Sequence, residues 1–315
     1  MSTGPAGHVT RSFIVPNSET ATRAPLRRFL TTDDGVTIDA VYEPGGVVYD
    51  GSGDRSDAST PSSDHLVFVV AHGFTGDADR PHVRRVAEVF AQYGAVLTFS
   101  FRGHGASGGR STVGDREVLD LAAAVRWARE LGHTRVATVG FSMGGSVVLR
   151  HAALHGGPGR REHRGRTEAA PNAHAVEAVD AVHAVDEVDA VVSVSAPARW
   201  YYRGTAPMRR VHWLVTRPEG RLVGRYGLRT RIHDQDWNPV PLSPVEAVPR
   251  IAPTPLLIVH GDRDGYFPVD HPRMLAAAAG DAGELWLEPG MGHAEHAADN
   301  GLLRRIGDWA VSRAG

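Results

Sequence analysis

The sequence predicts an α/β protein built on a mostly parallel sheet with helices on both faces, and three observations lead there. Residues 66–71, 95–101, 135–139, 190–195 and 254–260 are nearly continuous apolar runs rich in valine. That is the pattern of strands covered on both sides rather than half-exposed. Residues 82–93 and 118–131 repeat apolar side chains at helical spacing between those runs, so strand and helix alternate along the chain. A chain of 315 residues is long enough for one large core of this kind with an insertion.

Composition removes several function classes. The formal net charge is −2, which gives no global attraction for nucleic acid or a membrane surface. There is no cysteine, so disulfides, thiol catalysis and cysteine-ligated zinc are excluded. All 34 basic residues are arginine. A guanidinium cannot be deprotonated, so Schiff-base chemistry and a Ser–Lys dyad are excluded as well. The first 20 residues carry no apolar core of signal-peptide length and no later segment reaches membrane-span length. The expectation is a soluble cytoplasmic protein without stable membrane insertion.

Taken in order, residues 1–26 read as a loose polar lead-in. Residues 27–42 alternate around Asp33-Asp34-Gly35, a hairpin with a D-G turn, and 45–64 form a Gly/Ser/Asp surface loop. Residues 27–195 and 251–315 make up the α/β core. The strand at 66–71 closes in His72-Gly73-Phe74-Thr75-Gly76, and His72 is expected to prop that loop. The strand at 95–101 leads into Arg102-Gly103-His104-Gly105-Ala106-Ser107-Gly108-Gly109. Ser107 and His104 are nucleophile and base types, but no strand-to-helix turn presents them.

The strand at 135–139 runs into Gly140-Phe141-Ser142-Met143-Gly144-Gly145, and 146–154 continue as a helix. Strand, G-x-S-x-G, helix describes a turn so tight that the positions two before and two after the serine must be nearly free of side chains. The turn lifts the Ser142 hydroxyl clear of the sheet. It also aims the Met143 N–H, at a helix N-terminus, at any negative charge that develops there. The loop after the strand at 66–71 is where a second donor is expected, the N–H of Phe74. On the helix, His151 and His155 stand four apart, a spacing that can bind metal; without a third ligand they read as a solvated helix face, and no metal site is predicted.

Residues 156–189 are of low complexity: an arginine patch, then a valine every third residue from Val176 to Val191 with acids between them. A period of three suits neither helix nor strand, so this is expected to be a surface loop. After the strand at 190–195, residues 196–250 change character again and read as a cap inserted after the sixth strand. Short helices are predicted over 208–214 and 221–226, with a proline-broken return over 239–249. Trp200, Tyr201, Trp213 and Trp237 are the aromatic residues expected to roof a pocket there. Ten arginines against four acids (Glu219, Asp234, Asp236, Glu246) either attract an anionic substrate or, more commonly, tie such a cap to the body.

A serine hydroxyl needs a histidine to take its proton and a carboxylate to fix that histidine's tautomer. After the serine, the strand at 254–260 ends in Gly261-Asp262-Arg263-Asp264. Asp264 lies further into the loop and is the predicted acid; Asp262 is expected to bond backbone N–H groups of the turn. Past the last strand, 285–288, the loop Pro289-Gly290-Met291-Gly292-His293 supplies the predicted base, His293, while His296 belongs to the closing helix predicted over 301–311.

With these pieces in place the chain resembles the α/β-hydrolase superfamily over nearly all of residues 27–312. The likeness is greatest to the branch with serine aminopeptidases and monoacylglycerol lipases. It rests on H-G-F-T-G at 72–76, F-R-G-H-G-A-S-G at 101–108, G-F-S-M-G-G at 140–145, H-G-D-R-D at 260–264 and G-M-G-H at 290–293. The resemblance implies a serine hydrolase without setting which ester, amide or thioester it cuts. The leading expectation is a cofactor-free carboxylesterase acting on a small acyl substrate, with no nucleic-acid partner and no oligomeric state set. Two other readings are an aminopeptidase-like amidase, which needs a cap carboxylate for the substrate amine, and a non-catalytic ligand-binding protein on the same scaffold.

Overall fold

A computed structural model of the chain describes residues 24–45, 66–156 and 186–314. The lead-in before residue 24, the loop at 46–65 and the low-complexity stretch at 157–185 lie outside the described residues. Strands β1 (Leu26–Thr31) and β2 (Thr37–Glu43) form the expected antiparallel hairpin, and Gly35 turns it at φ +77°. The remaining strands are β3 (Leu66–Ala71), β4 (Ala95–Phe99), β5 (Arg135–Phe141), β6 (Ala190–Val194), β7 (Leu256–Gly261) and β8 (Gly283–Glu288). All eight lie in one sheet in the order β1-β2-β4-β3-β5-β6-β7-β8. From β4 to β8 every neighbour pair is parallel, and β2 alone runs the other way.

Parallel strands need crossovers, and the helices provide them. Helices α1 (Pro81–Phe90), α2 (Glu117–Glu130) and α3 (Met143–His155) link the first strands of the parallel part. After β6 come α4 (Ala206–Thr216), α5 (Pro218–Gly227) and the single turn α6 (Pro244–Ala247). The chain then returns through β7, α7 (Asp270–Ala279), β8, the short α8 (Ala294–Ala297) and α9 (Asn300–Arg313). Caps mark the starts: Thr205 accepts from the Met208 N–H, Asp299 accepts from the Leu302 N–H, and Pro81 opens α1.

Successive side chains along β3 go to opposite faces, which splits the core in two. Val67, Val69 and Ala71 pack with Leu121 and Trp127 of α2, Val147 and Val148 of α3 and Leu275 of α7. Leu66, Phe68 and Val70 pack with Val86 and Phe90 of α1 and Leu303 and Ile306 of α9. The Phe68 and Phe90 rings stack at 4.9 Å. Each such fully buried side chain contributes about 1.5–3 kcal/mol, enough for this double layer to hold the sheet rigid beneath the loops that leave its carboxyl end.

Helix α3 begins at Met143, so its N–H stands at a helix N-terminus as expected. One expectation is corrected. His151 is not on a solvated face: it is fully buried, with its ring 4.5 Å from that of His155.

Candidate active site

Ser142 sits between β5 and α3 with φ +52°, ψ −112°. Backbone this unfavourable costs a non-glycine residue about 1–3 kcal/mol and persists only where its surroundings over-determine it. The surroundings are the two glycines. A Cβ on Gly140 would overlap the Gly144 carbonyl, and one on Gly144 would overlap the Ala71 carbonyl at the end of β3. The Ser142 N–H donates to the Val194 carbonyl at 2.8 Å, pinning the turn to β6.

The β7 and β8 ends deliver the other two groups. Ser142 Oγ and His293 Nε2 are 2.9 Å apart, and His293 Nδ1 and Asp264 Oδ2 are 2.7 Å apart. A carboxylate only accepts, so the imidazole proton sits on Nδ1 and Nε2 accepts from the serine. The other Asp264 oxygen accepts the Tyr266 and Phe267 N–H groups at 2.8 and 3.0 Å. Burial works against the Asp264 charge, but the His293 hydrogen bond, the His293 charge, the Phe267 N–H and His260 together hold its carboxyl below 3.8. It is therefore an ionised acceptor at neutral pH. The same loop buttresses the base: the Tyr266 ring stacks on His293 at 4.2 Å, with Phe267 at 5.6 Å.

Asp262 takes the expected structural part. Its Oδ1 accepts the Gly290 N–H at 2.6 Å, tying the acid loop to the histidine loop. His72 is fully buried and props its loop, donating from Nδ1 to the Gly73 carbonyl at 2.7 Å and accepting the Phe101 N–H at Nε2 at 3.0 Å. Burial holds its pKa well below 6.5, with His104 adding to the effect. Ser107 and His104 are not a catalytic pair. The serine donates to the Ser100 carbonyl at 2.6 Å, and His104 Nε2 accepts the Thr75 N–H at 3.3 Å.

Phe74 and Met143, the expected backbone donors, lie on the loop after β3 and at the start of α3. Met143 is the first residue of α3, so no carbonyl one turn earlier in the helix accepts its N–H. The loop around Phe74 lies directly over the serine: a Cβ on Gly73 would come within 3.4 Å of the Ser142 Cβ. Glu295, which sequence reasoning missed, holds this loop, its Oε1 accepting the Gly73 N–H at 3.1 Å. Its one sequence signal is its place two residues beyond the base. Tyr266 and Phe267 were missed too, since ring stacking on a distant histidine leaves no local pattern.

Three of the four cap aromatics meet. Trp237 packs against Trp200 at 5.1 Å and Tyr201 at 5.5 Å, and a Cβ placed on Gly114 would come within 3.5 Å of the Trp200 ring and 4.0 Å of the Met143 side chain. Trp213 stands apart on α4, about half exposed. Several cap arginines serve as ties: Arg231 donates to the Ser107 carbonyl, Arg221 to Val215 and Thr216 carbonyls, and Arg199 pairs with Asp270 at 3.3 Å. Of the cap acids, Glu246 is spent in a capping box with Ser243, and Asp234 pairs with Arg110 at 3.4 Å.

The model of the alpha/beta hydrolase family matches residues 66–301, the span that holds all of these groups. The chain belongs to the alpha/beta hydrolase family. Among solved structures, this hydrolase is similar to an esterase of Pyrococcus furiosus, at 20% identity over 99% of this chain and 100% of that one, with TM-score 0.63. It is similar to an alpha/beta hydrolase of Penicillium sp. sh18, at 17% identity over 93% of this chain and 99% of that one, with TM-score 0.62. A serine hydrolase without a lid from Xanthomonas campestris aligns at 17% identity over 92% of this chain and 94% of that one, with TM-score 0.52. At such identities the likeness is one of fold. No curated protein matches the hydrolase in sequence. Among the described residues no helix is long and apolar enough to cross a membrane.

Proposed function

We propose that this hydrolase cleaves carboxylic esters through an acyl-enzyme formed on Ser142. The observation that carries the reading is the unbroken hydrogen-bond chain from Ser142 Oγ through His293 to Asp264, at 2.9 and 2.7 Å. Nε2 of His293 takes the hydroxyl proton as Oγ attacks the acyl carbonyl carbon. The imidazolium so formed is stabilised by the Asp264 carboxylate, which stays ionised. The Phe74 and Met143 N–H groups receive the negative charge on the carbonyl oxygen; loss of one such donor typically costs about 3–4 kcal/mol of transition-state stabilisation. His293 then gives the proton to the leaving alkoxide. A water, deprotonated by the same nitrogen, attacks the acyl carbon and frees the acid and Ser142.

Ester rather than aminoacyl amide is favoured because Glu246 and Asp234, two of the four cap carboxylates, already have partners. The test is Ser142→Ala. Turnover of p-nitrophenyl esters and labelling by a fluorophosphonate should both disappear while the far-UV circular dichroism is unchanged. A variant that keeps the parent's ester turnover would overturn the assignment.

A further inference from the structure

Behind the loop that holds Phe74 lies a second cluster that the ester chemistry does not use. His82 on the first turn of α1 and Glu295 and His296 on α8 each bring one ligand atom within 4.8 Å of the other two. His82 Nε2 is 3.6 Å from Glu295 Oε1. Zinc binds imidazole nitrogen and carboxylate oxygen at about 2.0–2.2 Å, so two ligand atoms on a tetrahedral ion stand roughly 3.4 Å apart. The His82–Glu295 pair is already near that separation. His296 is exposed, and its ring nitrogen lies within 4.8 Å of both other ligand atoms.

Three further features set this cluster apart from a chance meeting of polar groups. Nε2 of His82 is buried and has no hydrogen-bond partner, an arrangement that leaves a polar atom unsatisfied unless something else occupies it. The His82 and His296 rings pack at 3.8 Å without a hydrogen bond between them among the described contacts. Arg85 of α1 clamps α8 in place, donating to the Glu295 and Ala298 carbonyls at 2.7 and 2.8 Å. The two ligand-bearing segments, more than 200 positions apart in the chain, are thus fixed against each other before any ion arrives.

We infer that His82, Glu295 and His296 form a binding site for a divalent transition metal of the zinc class, with solvent completing the coordination. Two imidazoles and one carboxylate suit zinc, cobalt or nickel; magnesium and calcium prefer all-oxygen sets. The ion is not a catalyst here. Glu295 Oε1 also accepts the Gly73 N–H, so the metal would brace the loop whose next residue is Phe74.

The inference is tested on the full chain, stripped with a chelator and titrated with Co²⁺, reading the visible d–d bands of a four- or five-coordinate site. One Co²⁺ per chain is expected, displaced by Zn²⁺ and indifferent to excess Mg²⁺. Removing a neighbour that only orients a ligand typically costs 10- to 100-fold in affinity, so His296→Ala, which removes an exposed ligand itself, should weaken binding by at least about tenfold. His82→Ala should do the same, and Glu295→Gln provides a third variant that keeps an oxygen for Gly73. Absence of the bands, or affinity unchanged in His296→Ala, overturns the inference. The readout requires no turnover, so it stands or falls separately from the ester chemistry.

Discussion

Replacing Asp264 with asparagine should silence the serine without unfolding the protein, and the structure says why. One Asp264 oxygen accepts two backbone N–H groups, from Tyr266 and Phe267, and the other accepts the His293 Nδ1 proton. In Asp264→Asn the amide oxygen must stay with the two N–H donors, so the NH2 group faces Nδ1. The imidazole is then driven to carry its proton on Nε2, pointing it at Ser142 Oγ, where it cannot act as base. Flipping the amide to restore the working tautomer would strand both backbone donors at about 1–3 kcal/mol each. The wrong tautomer is therefore favoured by about 2–6 kcal/mol, and the imidazolium loses its counter-charge as well. A fall in kcat/KM of about 1,000- to 10,000-fold follows, the size that about 4–5.5 kcal/mol of barrier gives. The assay is kcat/KM for p-nitrophenyl butyrate, read beside thermal unfolding of Asp264→Asn and Asp264→Ala. The alanine variant, which orphans the two N–H groups, should unfold at the lower temperature. An asparagine variant that retains more than about a tenth of the parent's kcat/KM would refute the tautomer argument.

Three further outcomes are expected. Gly144→Ala drives a Cβ into the Ala71 and His72 carbonyls and should cost about 3 kcal/mol in urea unfolding along with most ester turnover; a variant as stable as the parent would mean the turn is looser than described. Trp200→Ala removes the ring that packs against Trp237 and should raise KM for a p-nitrophenyl octanoate about tenfold, a loss of about 1.4 kcal/mol, with kcat much less affected. Stability should fall as pH drops below about 6.5, because burial depresses the folded pKa of His72, His104, His151 and His271, the last to about 4. The unfolded chain then takes up protons that the folded one refuses. Each such histidine contributes a slope of up to about 1.4 kcal/mol per pH unit between its folded and unfolded values, and the stability is fully present above them. A urea midpoint that is flat from pH 8 to pH 5 would show that these rings are not held neutral.

The sheet was legible because parallel strands between two helical layers must be apolar on both faces, and β3 to β7 are. Ser142, Asp264 and His293 were legible because each follows a strand in an order set by topology, and glycines mark all three turns. Asp262 could be told from Asp264 by its distance from the strand end, since the nearer carboxylate meets the neighbouring loop at Gly290. Contacts between remote segments left no such trace. His82 lies more than 200 positions from Glu295, and nothing in either neighbourhood announces the other. His151 was misread for a related reason. A histidine four residues from another suggests an outer face, yet the burial of this helix is set by α2 and the cap-side packing on each flank rather than by its own spacing.

Residues 229–237 of the insertion are laced into the loop that follows β4. The Arg231 N–H donates to the Gly103 carbonyl and the Ser111 N–H donates back to Arg231, while His104 and Thr230 form a bridge and the Trp237 indole N–H reaches the Thr112 carbonyl at 2.7 Å. Four fasteners along nine residues make this part of the insertion a wall rather than a door. Its contour is decided when the chain folds, and a molecule arriving at the serine meets a frame already cut to size on that side.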